Sequence, residues 1–292
     1  MCERHTVEKW AKDALTRREV GALGAIGALA ACAPVGADGS RSAASSGSPA
    51  IEGRAVSFAT AEGTLDGEFF AASSRKAPGV VLWPDIAGIR PAKRRMAQRL
   101  AEAGYAVLLA NPYYRDVKGQ QFADFADFAG NGGWDKVTPW RNRFTTDTIR
   151  TDATAVAAWL RAQAEVDTKR GIGAQGYCMT GSFALVAPSA DAGVHAGASF
   201  HGGGLVRADD PESPHRTLQR GKHYLAAIAK NDDAKAPGDK DALRAAATEA
   251  GADAEIEVYP ADHGWCVPDS PSYDQAEAER AWARLLTLYA KL

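Results

Sequence analysis

The chain contains little sulfur, with four cysteines and three methionines among 292 residues. The cysteines show neither a CxxC spacing nor a ladder of cysteine and histidine; they are Cys2, Cys32, Cys178 and Cys266. This absence excludes the zinc sites and redox motifs that such spacings indicate. We therefore expect neither a metal nor a cofactor, and each cysteine must be interpreted singly.

An excess of charge of either sign is lacking as well. The chain has 34 Lys and Arg against 36 Asp and Glu, which gives a net charge of -2. Such a balance provides no overall field that would favour nucleic acid or an anionic membrane surface. We expect a monomer that acts on a small molecule, and the 46% hydrophobic content is that of an ordinary globular protein.

A long, strongly apolar run is also absent. The run 20–37 carries no charged side chain, but it consists mostly of Gly and Ala and is too weakly apolar for a convincing membrane span. Basic residues precede it, which is the order of an export signal. Arg17-Arg18 resembles a twin-arginine signal, and 29–32 resembles a lipobox with Cys32 as the candidate lipid anchor.

These features predict three segments. Residues 1–37 form an export signal, so that the protein is periplasmic or a membrane-anchored lipoprotein of a bacterium. Residues 38–50 are small and polar, a composition that buries too little apolar area to fold, and form a flexible linker. Residues 51–292 form one folded domain.

Short apolar runs alternate with helical patterns through this domain. Strands are predicted at 56–59, 64–71, 79–83, 106–109, 172–177, 195–200, 224–229 and 256–259. Helices are predicted from Pro91 to Gly104, over 146–163, from Met179, around Leu243 and across 282–288. After an antiparallel entry, such alternation favours an α/β fold whose mostly parallel sheet carries helices on both faces.

Cys178 lies in Gly-Tyr-Cys-Met-Thr-Gly, directly after a predicted buried strand and before a helix. This is the context of a nucleophile elbow, in which a sharp turn exposes the reactive side chain and small residues allow the chain to approach its neighbours. The start of the helix favours a thiolate, which attacks carbonyl carbon. The alternative is a buried structural cysteine.

The G-Y-C-x-x-G pattern, together with the later D-H-G-W, resembles the dienelactone hydrolases, a cysteine branch of the α/β-hydrolase fold. The resemblance extends over most of residues 60–290. It implies a single-domain α/β-hydrolase fold and hydrolysis of a small ester or lactone through a Cys-His-Asp triad and an acyl-thioester. Thr180 departs from the family, which commonly has glycine at that position.

In this fold the nucleophile, the acid and the histidine follow one another along the chain, each after a strand. His263 has the position of the base, and His201, which also follows a strand, is its rival. The acid is Asp232 by its distance from the preceding strand in the family. Asp233 stays open as the alternative.

The resemblance also implies the remaining parts of the site. The oxyanion donors are the backbone N–H groups of Met179 and Ile86. Asp85 matches a family glutamate that contacts the cysteine and helps to form the thiolate; the alternative is a turn or cap residue. Trp265, from the D-H-G-W pattern, is a further candidate for the substrate side.

Arg115 matches an arginine that holds a substrate carboxylate; the alternative is a surface arginine. The family's second arginine is missing, because residues 266–268 are Cys-Val-Pro. Anionic dienelactone is therefore not the expected substrate. The aromatic residues of the segment 117–145 indicate either a lid or pocket wall or a core-facing helix edge.

Two other functions fit parts of the same pattern. A non-catalytic envelope lipoprotein would keep the fold for binding. A thiol redox sensor would use Cys178 and Cys266, since Cys266 lies three residues beyond His263 and could form a reversible disulfide under oxidising conditions.

Overall fold

A computed structural model describes residue 4 and residues 7–15, 51–72 and 75–292. The paired arginines, the candidate lipobox with Cys32, the linker 38–50 and Cys2 lie outside the described residues, so the predictions on them stay predictions. Within the described ranges, no helix combines the length and apolarity needed to cross a membrane.

Eight strands form one sheet in the order β1-β2-β4-β3-β5-β6-β7-β8. They are β1 (Arg54–Thr60), β2 (Gly63–Phe70), β3 (Gly79–Trp83), β4 (Ala106–Ala110), β5 (Ile172–Tyr177), β6 (Val194–Phe200), β7 (His223–Ala229) and β8 (Asp253–Tyr259). The pairs β1–β2 and β2–β4 are antiparallel, and every other pair is parallel. The predicted antiparallel entry and mostly parallel sheet are confirmed.

Helices connect these strands. They are α1 (residues 7–15), α2 (Pro91–Glu102), α3 (Phe125–Gly130), α4 (Gly133–Arg141), α5 (Thr146–Arg161), α6 (Gly181–Ala190), α7 (Lys230–Lys235), α8 (Asp239–Ala250) and α9 (Gln275–Tyr289). Pro91 stands in the first turn of α2, where its missing N–H costs nothing. Gly104 adopts a φ of 102° just beyond that helix, as expected of a stop signal.

The two faces of the sheet are covered by different helices. Val80 and Leu82 of β3 pack in a cluster with α2 and α9, whereas Val81, between them, packs with α5 and α6. Because successive side chains of a strand point to opposite faces, both faces of β3 are buried. All five residues of β3 and all five of β4 are accordingly buried, which is why these strands appear in the sequence as continuous apolar runs.

The segment 117–145 contributes α3 and α4, and α1 packs against it. Ala11 of α1 is fully buried, and a Cβ at Gly130 would come within 2.9 Å of Leu15 Cδ1. The cluster that receives α1 also includes the aromatic side chains of the segment, together with Ile86 and Met179. The segment is thus a wall beside the predicted oxyanion residues. The described part of the predicted export signal is helical and contacts this wall.

Candidate active site

Cys178 stands at the sharp turn between β5 and α6. Its φ is 57°, a left-handed conformation that a side-chain-bearing residue adopts at a cost. A single 3-10 turn, Cys178–Thr180, then leads into α6. A Cβ at Gly176 would come within 1.9 Å of the Thr180 carbonyl oxygen, so this position requires glycine. The predicted strand–turn–helix context of Cys178 is present.

The contacts of the Thr180 side chain account for a threonine at a position where the family commonly has glycine. Its side chain is fully buried, and its hydroxyl accepts the Tyr177 N–H at 2.9 Å. The same hydroxyl lies 3.0 Å from the carbonyl oxygen of Trp83 and 2.9 Å from that of Pro84, to which it can donate. Thr180 therefore connects the elbow to the loop after β3, which carries Ile86.

Replacing Thr180 by valine is expected to lower the free energy of unfolding by about 1–3 kcal/mol, because the buried Tyr177 N–H and the carbonyls lose their shared partner. Thr180→Ser keeps the hydroxyl and serves as the control, with a smaller loss. Urea unfolding monitored by tryptophan fluorescence measures both variants. Equal midpoints for Thr180→Val and the wild type would contradict this role for the hydroxyl.

His263 and Asp232 lie together beside Cys178. His263 follows β8, Asp232 belongs to α7 after β7, and the His263 Nδ1 lies 2.6 Å from Asp232 Oδ2. His263 also forms a side-chain hydrogen bond with Cys178. Its backbone N–H donates to Asn231 Oδ1 at 2.9 Å, which fixes the histidine loop against α7.

The alternative residues have other surroundings. Asp233 Oδ1 accepts from Lys240 Nζ at 2.7 Å. The rival histidine, His201, has no carboxylate partner among the described residues. Its fully buried ring lies against that of His263, with centroids 4.6 Å apart. The structure therefore brings Cys178, His263 and Asp232 together.

The charges of Cys178, His263 and Asp232 stabilise one another. Burial lowers the pKa of His263, but the charge of Cys178 and the hydrogen bonds to Asp232 and Cys178 raise it to about 10. Burial raises the pKa of Asp232, but the hydrogen bond and charge of His263 lower it to about 2. At neutral pH an imidazolium therefore stands between a carboxylate and the cysteine sulfur.

Removing the sulfur should reveal this coupling. In Cys178→Ala we expect the pKa of His263 to fall clearly below about 10, because the charge and the hydrogen bond that Cys178 provides are lost. Nitrogen-15 NMR titration of the imidazoles measures the shift, and the signals of the distant, partly exposed His223 are the internal control. An unchanged titration of His263 would contradict the coupling.

The ion pair of His263 and Asp232 makes the free energy of unfolding depend on pH. The folded pKa of His263 lies above its ordinary value of 6.5, so its contribution to stability is complete below about pH 6.5 and is lost as the pH rises through about 10. The folded pKa of Asp232 lies below its ordinary value of 3.8. Its contribution is present above that pH and is lost as the pH falls through about 2.

The predicted oxyanion residues lie together beside the elbow. The Tyr113 hydroxyl lies 2.8 Å from the Ile86 carbonyl oxygen, to which it donates, and 3.4 Å from Met179 Sδ. Tyr113, in the loop after β4, thus connects the loop that carries Ile86 with the start of the turn at Met179. Sequence reasoning did not identify Tyr113.

Asp85 lies in a buried cluster of charged side chains. It is only 4% exposed, and its carboxylate accepts from Arg90 at 2.7 and 3.0 Å and forms an ion pair with Lys93 Nζ at 2.9 Å. Arg90 also binds both carboxylate oxygens of Asp269, in the loop after His263. Asp85 is therefore the anchor of a buried ion cluster, and both of its carboxylate oxygens are engaged by basic side chains.

Arg90, Lys93 and Asp269 were missed by sequence reasoning. The only signal was that Arg90 and Lys93, three apart at the start of α2, share the helix face of the buried Ala97. This cluster connects the loop after β3 to the histidine loop. Asp269 Oδ2 also accepts the N–H of Phe125 at 3.0 Å, so that the start of α3 is held by the same group.

The two residues predicted for the substrate side, Arg115 and Trp265, contact other protein side chains. The Arg115 side chain is 3% exposed and binds both oxygens of Asp152 at 2.8 Å and Glu62 at its Nε. It has no open fork for a substrate carboxylate. Trp265 is fully buried and stacks on Tyr259 with centroids 5.1 Å apart, so it supports the histidine loop from behind.

Cys266 is separated from this chemistry. It lines a cavity of about 130 Å³ between α2 and α9, and burial raises the pKa of its thiol to about 12. Such a thiol is protonated at neutral pH and reacts slowly in disulfide exchange. No group of three or more metal-binding side chains occurs in the described part of the chain.

Comparisons with known proteins identify the fold and the family of this chain. A Salmonella typhi protein provisionally named carboxymethylenebutenolidase is 25% identical over 224 residues, which cover 75% of this chain and 79% of that protein. The crystal structure of a provisionally named dienelactone hydrolase from Klebsiella pneumoniae subsp. pneumoniae MGH 78578 superposes with a TM-score of 0.69 and 21% identity, covering 83% of this chain and 100% of that one.

A second solved structure is P91 from metagenomic libraries, described as a dienelactone hydrolase-like promiscuous phosphotriesterase. It has a TM-score of 0.63 and 23% identity, and the match covers 83% of this chain and 99% of that one. At such identities the structural matches establish the single-domain α/β fold. The family model of the dienelactone hydrolases matches residues 65–292, nearly the whole of the folded domain. The chain therefore belongs to the Dienelactone hydrolase family.

Proposed function

We propose that the protein hydrolyses a small ester or lactone, with Cys178 as the nucleophile, His263 as the acid and base, and Asp232 as the residue that orients His263. The observation that carries this proposal is the continuous contact from the elbow sulfur through His263 to Asp232, with 2.6 Å between the last two side chains. Family membership supports the hydrolytic reaction class.

In the first half-reaction the Cys178 thiolate attacks the carbonyl carbon and a C–S bond forms. The carbonyl oxygen becomes negative and accepts hydrogen bonds from the backbone N–H groups of Met179 and Ile86. The C–O bond of the ester then breaks, and the leaving oxygen takes a proton from His263. The acyl group remains on Cys178 as a thioester. In a lactone the leaving oxygen stays attached to that acyl group.

In the second half-reaction water replaces the alcohol. Neutral His263 takes a proton from water, and the resulting hydroxide attacks the thioester carbonyl. The C–S bond breaks, the carboxylic acid product leaves, and Cys178 returns as a thiolate beside the His263 imidazolium. Asp232 keeps the imidazole in the tautomer that directs its other nitrogen toward Cys178.

We further propose a substrate without a carboxylate. The surroundings of Ile86 and Met179 are apolar and aromatic, and include Tyr113, Trp140 and Phe144. The guanidinium of Arg115 is occupied, and the position of the second arginine of the family has no basic residue. Neutral acyl groups therefore suit this wall better than anionic ones.

Initial rates on a panel of neutral aryl esters, neutral lactones and carboxylate-bearing dienelactones test both proposals, with Cys178→Ala as the blank. We expect turnover of neutral members that the blank lacks, and a lower kcat/KM for anionic members. Equal rates for enzyme and blank on the whole panel would contradict the hydrolytic function. A preference for the anionic members would contradict the substrate class alone.

A non-catalytic binding protein and a thiol redox sensor are the alternatives. The raised pKa of the buried Cys266 thiol argues against the sensor, because no second reactive sulfur accompanies Cys178 in the described ranges. Labelling of Cys178 by a thiol probe, competed by aryl esters, distinguishes an enzyme from either alternative. Export, a periplasmic location and a lipid anchor at Cys32 remain proposals that rest on the sequence of residues 1–37.

A further inference from the structure

His201 is the only residue besides Cys178 with a side chain and a positive φ in the described ranges; its φ is 39°. Residues held in this region of conformational space cluster at functional sites, because the surrounding structure must enforce them. His201 immediately follows β6, at the same edge of the sheet as Cys178, Asp232 and His263.

The His201 ring is also unusual in its hydrogen bonding. It is 1% exposed, and neither ring nitrogen has a hydrogen-bond partner among the described residues. An apolar side chain would avoid the desolvation of these nitrogens, so a role in stability alone does not account for a histidine here.

The ring lies directly against the proposed base. Its centroid is 4.6 Å from that of His263 at an interplanar angle of 62°, an edge-to-face arrangement. Trp265 packs on it at 5.4 Å and Tyr177 at 6.1 Å. His201 is therefore held between fixed aromatic rings and limits how far the His263 imidazole can turn.

The turn that carries His201 also holds the nucleophile. The Gly203 N–H donates to the Cys178 carbonyl oxygen at 3.0 Å, and the His201 N–H donates to the Ala227 carbonyl oxygen of β7 at 2.8 Å. Because β7 continues into α7, which carries Asp232, the turn is bonded to the elbow and to the strand that leads to the acid.

The charges around His201 keep it neutral. Burial lowers the pKa of His201 well below its ordinary value, and the nearby positive charges of His263 and Lys93 lower it further, against the opposite effect of Asp85 and Asp232. A neutral aromatic ring beside an imidazolium is favourable, whereas a second imidazolium there would be repelled.

We infer that His201 is a positioning residue: its neutral ring packs against the His263 imidazole and keeps it directed between Asp232 and Cys178. Without the His201 ring, His263 keeps its hydrogen bond to Asp232 but turns away from the Cys178 sulfur for part of the time. This inference rests on the proposed function, since the orientation matters only if the pair reacts.

His201→Asn tests it, because asparagine accepts a left-handed backbone but provides no ring. We expect kcat for a neutral aryl ester to fall by about 10–100-fold with KM nearly unchanged, the scale of a misplaced catalytic group. Alkylation of Cys178 by iodoacetamide should slow, and the pKa of His263, followed by nitrogen-15 NMR, should fall. His223→Asn, at a partly exposed histidine paired with Asp253, is the matched control and should change none of these.

Wild-type kcat and an unchanged His263 titration in His201→Asn would overturn the inference. If that variant does not fold, the wild type decides the matter alone: His201 should show the NMR signals of a neutral imidazole below its ordinary pKa of 6.5. Protonation of His201 near that ordinary value would overturn the inference. If the wild type hydrolyses no ester, the proposed function fails, while alkylation and the His263 pKa still decide the role of His201.

Discussion

Cys178→Ser is expected to lower kcat/KM for a neutral aryl ester by about 10³-fold or more. A serine hydroxyl is a far weaker acid than a thiol, so His263 would have to remove its proton in a site whose charges are arranged for a sulfur anion. In the wild type the charge of Cys178 helps to raise the pKa of His263 to about 10, and a neutral serine would not form this ion pair. Steady-state rates with the variant measure the loss.

Cys266→Ser is the matched control for this substitution. Cys266 is the other cysteine in the described ranges, and its buried thiol lies in the cavity between α2 and α9. We expect this variant to keep near-normal turnover. Activity that survives Cys178→Ser, or that disappears with Cys266→Ser in a folded protein, would show that another residue is the nucleophile.

Asp232→Asn is expected to lower kcat by about 10²–10⁴-fold with a smaller effect on KM. The amide keeps the shape of the carboxylate, but it favours the wrong tautomer of His263 and no longer stabilises the imidazolium. The 2.6 Å contact of Asp232 Oδ2 with His263 Nδ1 is the interaction that is lost. The pH dependence of kcat, recorded with the rates, separates a change of tautomer from unfolding.

Asp233→Asn provides an unusually close control, because the two residues are adjacent on α7. The Asp233 side chain interacts with Lys240 and not with His263. We expect its substitution to leave kcat within about threefold of the wild-type value, as for a partly exposed ion pair. A larger loss from Asp233→Asn than from Asp232→Asn would show that Asp233, and not Asp232, is the acid.

The sequence was sufficient for the central strands of the sheet because they are buried on both faces. The strands predicted at 79–83 and 172–177 coincide with β3 and β5, and only the ends of the other strands shift by a residue or more. The elbow was equally accessible, since its glycines are required by backbone contacts as close as 1.9 Å at Gly176. Local constraints of this kind leave a local trace in the sequence.

Ion pairs between residues that are far apart in the sequence produce no local pattern from which they could be predicted. Arg90 and Asp269 are separated by 179 positions, and Arg115 and Asp152 by 37, and the second pair leaves Arg115 without a free guanidinium for a substrate. The contact of α1 with the wall of α3 and α4 could not be predicted either, because residues 1–37 had the pattern of an export signal. Family resemblance identified the positions but not their partners.

The acyl-thioester is the central claim, and mass spectrometry of the quenched enzyme tests it most directly. The full chain is mixed with excess p-nitrophenyl acetate, stopped in acid within the first turnovers, and digested. We expect one acetyl group on the peptide that contains Cys178, formed as fast as nitrophenol is released and absent from Cys178→Ala. An acetyl group on Ser182 or elsewhere at that rate, or rapid turnover with no modified Cys178, would contradict it.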